Sequence, residues 1–234
     1  MRWIARWRTK AGNARARLNA IKKLEKYGRS ETALIASLLS DPANEVRAGA
    51  CQALGRLKDA SAIQRLGDLM LGRFGIGESG DRRFAAIAAA KALAQIGDGQ
   101  SIPLLIQALG NIDQELRAEA ARILGRLRAT AAVEPLISLL DALNSSSERV
   151  QLEAVIALAE ISGKRANTFV LEVFQDSRHL RTFHDDRSHI ALSIWVAAAK
   201  GCPVDKQVLT ATATLAENER LKQKLPEFSR IIEP

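Results

Sequence analysis

Between Glu45 and Leu57 the chain places apolar or small residues at Val46, Ala50, Ala53, Leu54 and Leu57. Seventy residues later the arrangement returns at Leu116, Ala120, Ile123, Leu124 and Leu127. The spacing i, i+4, i+7, i+8, i+11 puts all five positions on one stripe of an α-helix. A helix with a single apolar stripe must bury it against something, and near-duplicate helices are the partners at hand.

The same template fits Ala85, Ala89, Ala92, Leu93 and Ile96, and again Val150, Ala154, Ala157, Leu158 and Ile161. Near the N-terminus it fits Ala16, Ala20, Leu24 and Tyr27, with Lys23 where an apolar residue is expected. A weaker copy, Ile190, Ile194, Ala197 and Ala198, lies near the C-terminus. Leu24, Leu54, Leu93, Leu124, Leu158 and Ala198 are then equivalent, 30 to 40 residues apart, a period that implies a solenoid or array. Each copy is followed by a second apolar segment: 32–39, 61–71, 101–109, 132–143 and 167–174. Asp59 and Asp98 precede second segments, where a carboxylate can accept from orphan backbone N–H groups and meet the positive end of the helix dipole. Pro103 and Pro135 fall near the first turn, where a missing N–H costs least. The unit is helix, short turn, helix.

At Asp41-Pro42-Ala43-Asn44-Glu45-Val46-Arg47, followed by Ala53-Leu54-Gly55-Arg56-Leu57-Lys58-Asp59 and Ile63, the chain resembles a HEAT repeat. More narrowly, it is similar to the HEAT-like repeats of phycobilin lyases. The resemblance covers residues 15–176 well and implies an all-α fold, a right-handed α-α superhelix of about five to six HEAT-like helix pairs. It also implies a concave face lined by the second helices and used to bind proteins. The expected organisation is a single solenoid over residues 1–234: a basic amphipathic segment to residue 14, regular repeats over 15–176, then a divergent repeat and cap over 177–234. In the cap, 190–200 bears Trp195, and the charged 208–225 is its partner.

Composition narrows the function. The chain is 47% hydrophobic but only 4% aromatic, which suits thin helix layers of Ala, Leu and Ile. No run approaches the ~20 apolar residues that span a bilayer, and MRWIARWRTK does not read as a secretory signal. Asn144-Ser145-Ser146 is therefore discounted as a glycosylation acceptor. Only Cys51 and Cys202 are present, with no CxxC pairing. Cys51 reads as a reduced, partly buried thiol, which suits the cytoplasm, with a peripheral membrane location as the alternative.

Charge is concentrated at one end. The formal net charge is +8, and residues 1–30 hold ten basic side chains against Glu25 alone. Arg2, Arg6, Arg8, Lys10 and Arg15 are the expected contacts for an anionic partner. Trp3, Ile4 and Trp7 share a helical face among them, which suits either a cap on the first repeat or an anionic membrane surface. The expected concave positions are Gln64, Asp68, Gln107, Glu134, Ser138, Asp141 and Glu172. They are polar or acidic, with Arg65 the main exception. Such a groove repels phosphate, which argues against nucleic acid there, and fits a polar or basic protein surface. Arg47 and Arg117, and Arg56 and Arg126, recur at equivalent places and are expected to reach carboxylates or helix C-terminal carbonyls of neighbouring repeats.

Two insertions interrupt the array. Residues 72–81 contain GIGESG, a formal GxGxxG, but a helix precedes it rather than the strand a phosphate cradle requires. It reads as a loop, with Phe74 and Ile76 placed over the rim. Residues 176–189 hold all three histidines, His179, His184 and His189, with Asp185 and Asp186. Five-residue spacing does not align ligands on a helix face, so no metal is expected. Deoxyhypusine hydroxylases carry di-iron ligands as His-Glu pairs on HEAT-like helices; no His-Glu dipeptide occurs here. No catalytic residue, cofactor or small-molecule substrate is evident. The expectation is a non-catalytic protein-binding scaffold or adaptor. The alternatives are a lyase-like or chaperone-like subunit handling a tetrapyrrole on a client protein, and a membrane- or nucleic-acid-associated module using the basic N-terminus.

Overall fold

The computed structural model describes residues 12–73, 82–142, 147–175, 191, 194, 195, 198 and 204–216. The described residues form eleven α-helices and no strand. They belong to two compact units, Met1–Ile123 and Leu124–Pro234. Asn144-Ser145-Ser146, Cys202, the loop after Arg73, the three histidines and the tail beyond residue 216 lie outside the described residues.

In the first unit, helices α1 (Ala14–Glu25), α3 (Asn44–Leu57), α5 (Arg82–Ile96) and α7 (Gln114–Arg126) carry the long apolar stripe. The last three residues of α7 belong to the second unit. The shorter α2 (Thr32–Ser37), α4 (Ile63–Met70) and α6 (Ser101–Ala108) follow α1, α3 and α5 in turn. Helix α3 packs on α1 and α5, its counterparts in the neighbouring repeats, and on α2; α4 packs on α5 and α6. The second unit holds α8 (Val133–Ala142), α9 (Glu148–Ile161), α10 (Lys164–Gln175) and α11 (Lys206–Ala216). There α9 packs on α8 and α10, and α10 on α11. Trp195 is buried and donates from Nε1 to Thr212 Oγ1 of α11 at 3.1 Å, so its indole N–H is not left orphaned.

The register of the repeats is written in the backbone as well as in the core. Leu24, Leu54, Leu93, Leu124 and Leu158 are all completely buried. Four residues beyond each, the chain turns to positive φ: Gly28 at 74°, Lys58 at 50°, Gly97 at 71°, Arg128 at 51° and Ser162 at 59°. Reversal of hand just past the last turn lets backbone N–H groups reach the final helical carbonyls. Lys58 N donates to Leu54 O and Gly55 O, both at 3.2 Å, and Ala129 N donates to Leu124 O at 3.0 Å. Lysine, arginine and serine gain no conformational freedom from this region. Their presence there means that packing of the flanking helices imposes the turn.

Two equivalent glycines, Gly55 and Gly125, leave no room for a side chain against the backbone of the next repeat. A Cβ on Gly55 would lie 3.0 Å from Ala92 Cα, and one on Gly125 would lie 2.7 Å from Ala157 Cα. Each alanine immediately precedes the equivalent leucine of the next repeat, Leu93 or Leu158. Small residues face small residues, so the helix backbones approach closely.

Second helices begin as their cap residues require. Asp59 accepts from Ser61 N at 3.0 Å, and Asp98 accepts from Gln100 N at 2.8 Å. The bond from Ser61 holds the Asp59 carboxyl below the usual carboxylate range. Pro103 and Pro135 are the third residues of α6 and α8.

Arg47 and Arg117 have a different job from the one their spacing suggests. Arg47 Nη1 donates to Asp41 O at 2.7 Å and Pro42 O at 3.1 Å, and its Nη2 donates to Asn44 Oδ1 at 3.1 Å. Arg117 Nη1 donates in the same manner to Asn111 O at 2.7 Å and Ile112 O at 3.1 Å. Both arginines fold back on the turn that enters their own helix and tie it down. Asp41 and Asn111 complete equivalent turns by accepting from Ala43 N and Asp113 N, each at 2.9 Å. Arg56 does bridge repeats, through a two-pronged pair with Glu25. Tyr27 lies beyond the end of α1 at Glu25 and is 41% exposed, while Ile21, off the expected stripe, is buried. Cys51 is wholly rather than partly buried, and loss of solvent pushes its thiol up to about 12.

Candidate functional site

The second helices present one short polar face in each unit. In the first unit Gln64 and Asp68 are a helical turn apart on α4, and Gln107 is near the end of α6. Gln64 and Gln107 are exposed and Asp68 is half-buried. The three are linked through Arg73, the second residue of the first insertion. Gln64 Nε2 donates to Asp68 Oδ1 at 3.1 Å. Arg73 Nη1 donates to the same oxygen at 3.1 Å, and its Nη2 donates to Gln107 Oε1 at 2.7 Å. Asp68 is therefore matched by a cation, and this patch is polar but close to neutral.

In the second unit Glu134, Ser138 and Asp141 lie at i, i+4 and i+7 of α8, and Glu172 lies on α10; all four are exposed. Arg165, in the first turn of α10, donates from Nε to Glu134 Oε1 at 2.9 Å. Its guanidinium is held charged more firmly than a free arginine's, first by that hydrogen bond and further by the charges of Glu172 and Asp141. Three carboxylates thus share one guanidinium in open solvent. A pair this exposed adds little to stability, but the surplus negative charge gives the face a definite preference for cations. Spacing alone identified the carboxylates and missed Arg165, because the helix starts three residues earlier than the periodicity implies. The signal was Ser162-Gly163, a stop-and-restart just before Lys164.

Of the expected anionic-partner contacts, Arg15 is exposed on α1, while Arg2, Arg6, Arg8 and Lys10 precede the described residues. Phe74, Ile76 and GIGESG, like His179, His184 and His189, lie outside them too. Among the described residues no group of three or more His, Cys, Asp or Glu could hold a metal ion. Nor is any helix among them long and apolar enough to cross a membrane.

Comparison with known proteins bears on the fold. The family model for HEAT repeats matches residues 4–73, 78–142 and 111–182. No curated protein matches the chain in sequence. Among solved structures, the complex of CpcE and CpcF of phycocyanin lyase from Nostoc sp. PCC7120 is similar with a TM-score of 0.51 and 19% identity. That match covers 99% of this chain and 93% of the other. An engineered protein matches with a TM-score of 0.48 and 16% identity, over 90% of this chain and 96% of the other. Human deoxyhypusine hydroxylase in complex with glycerol matches with a TM-score of 0.47 and 17% identity, over 99% of this chain and 95% of the other.

Proposed function

This chain belongs to the HEAT-repeat family, and from that premise we propose that it is a non-catalytic scaffold or adaptor binding a protein partner along its second helices. The observation that carries the reading is the surplus of carboxylate around Arg165. Glu134, Asp141 and Glu172 stand exposed on α8 and α10 with one guanidinium among them. The complementary surface is a basic protein segment: a lysine or arginine side chain can displace the weak, solvent-exposed Arg165–Glu134 pair at small cost. The near-neutral Gln64, Asp68 and Gln107 face is the better match for polar groups.

The test is affinity capture with the intact chain, identification of the bound protein, and measurement of its dissociation constant with charge-reversed variants. Glu134→Lys, Asp141→Lys and Glu172→Lys together are expected to weaken binding at least tenfold with helicity unchanged. An unaltered dissociation constant would move the contact surface away from α8 and α10. A lyase-like or chaperone-like subunit acting on a client protein shares the same fold. It would be distinguished by a visible absorbance shift on adding a bilin, which a pure scaffold does not produce.

A further inference from the structure

The first helix carries a second charged surface, unrelated to the acidic face and opposite in sign. Six basic residues lie between Arg15 and Arg29, and two of them are committed to the fold. Arg17 forms a two-pronged pair with Asp41, at 2.6 and 2.8 Å. Arg29 donates to Leu57 O at 3.1 Å and Lys58 O at 3.0 Å, closing the end of α3. The remaining four, Arg15, Lys22, Lys23 and Lys26, are all exposed. None pairs with a carboxylate among the described residues. The one acidic residue nearby, Glu25, is taken up by Arg56.

Helical geometry sorts these four into one place. Arg15, Lys22 and Lys26 follow at steps of seven and four, which keeps them in line, and Lys23 flanks Lys22. The stripe is roughly 16 Å long at 1.5 Å per residue. The opposite side of α1, through Ala20, Ile21 and Leu24, is buried, so the helix cannot turn its charges away. The basic face lies outside the surface used in the reading above, and Glu25, its acidic neighbour on α1, is engaged by Arg56.

We propose that this face of α1 docks the protein on an anionic membrane surface. The composition of the stripe selects this partner over other polyanions. It is lysine-rich, and lysine is a point charge suited to a diffuse field; arginine is the residue that grips single phosphates and carboxylates with two prongs. Asn19 is the only uncharged polar side chain on the stripe, which leaves little with which to read bases or a folded acidic partner.

The experiment is co-sedimentation of the full chain with vesicles of phosphatidylcholine, with and without about a third phosphatidylglycerol, at rising salt. Binding is expected only with the anionic lipid and is expected to fall as salt rises. Lys22→Gln, Lys23→Gln and Lys26→Gln together should lower partitioning by about a hundredfold, at roughly one kcal/mol per basic residue near the surface. The Lys→Arg triple variant should retain binding. Circular dichroism checks that each variant is folded, and single Lys→Gln variants serve if the triple does not fold. Three results would overturn the proposal: no sedimentation with anionic vesicles, sedimentation indifferent to the lysine substitutions, or equal binding to duplex DNA that competes the vesicles away.

Discussion

Gly125→Leu is expected to destabilise the protein by about 3 kcal/mol, at the upper end of what overpacking costs. The cause is backbone rather than side chain. The first carbon added to Gly125 would lie 2.7 Å from Ala157 Cα and 2.9 Å from its Cβ. Neither atom can swing aside by changing a rotamer, so the backbone around Ala157 would have to move away from Gly125. Gly55→Leu meets Ala92 Cα at 3.0 Å and is expected to cost a similar amount. Leucine is a better helix former than glycine by nearly 1 kcal/mol, so propensity would favour both substitutions if helices did not stack here. Gly99→Leu is the control. It has nothing within 4 Å and lies in a turn, so its effect should stay within about 0.5 kcal/mol. Urea unfolding followed by circular dichroism reads all three.

The second large effect belongs to Arg47. Its guanidinium is buried and donates to two turn carbonyls and to Asn44 Oδ1. Arg47→Met keeps most of the packing volume and leaves the buried Asp41 O without its donor. Unsatisfied buried acceptors cost about 1–3 kcal/mol each when their partner is removed, so a loss of about 2–4 kcal/mol is expected. Arg117→Met removes the equivalent ties, but from a half-buried side chain. Water can replace part of what is lost, and about half the effect is expected. Equal costs for the two variants in the same unfolding measurement would mean that burial does not set the strength of these ties.

How much of this could be read from residues alone depends on what each feature is made of. The stacked helices were legible because their chemistry is periodic: Val46, Ala50, Ala53 and Leu54 are buried together, as are Val150, Ala154, Ala157 and Leu158. Their shared register even anticipates where the backbone reverses hand, four residues past each leucine. Direction was not legible. Arg47 and Arg117 recur at the right interval, but periodicity cannot say that a long side chain turns back on its own entry turn. The polar faces were half legible for the same reason. Asp68 and Glu134 stand at helical steps, whereas their cations come from irregular places. Arg73 lies where an insertion begins, and Arg165 lies where a helix starts earlier than its apolar pattern. Charge on the surface was counted correctly, but its neutralisation depends on neighbours that only the folded chain brings together.

Stacking of near-duplicate helices is the claim on which both charged faces depend, since it fixes which side of each helix remains in water. A double-mutant cycle between Gly125 and Ala157 measures that stacking most directly. Gly125→Ala brings a β-carbon against both Cα and Cβ of Ala157, and Ala157→Gly removes the second of these contacts. Each change alone should destabilise, and the pair should be less destabilised than the single effects combined by at least about 0.5 kcal/mol. Strict additivity, with the two residues behaving as strangers, would contradict the contact between Gly125 and Ala157.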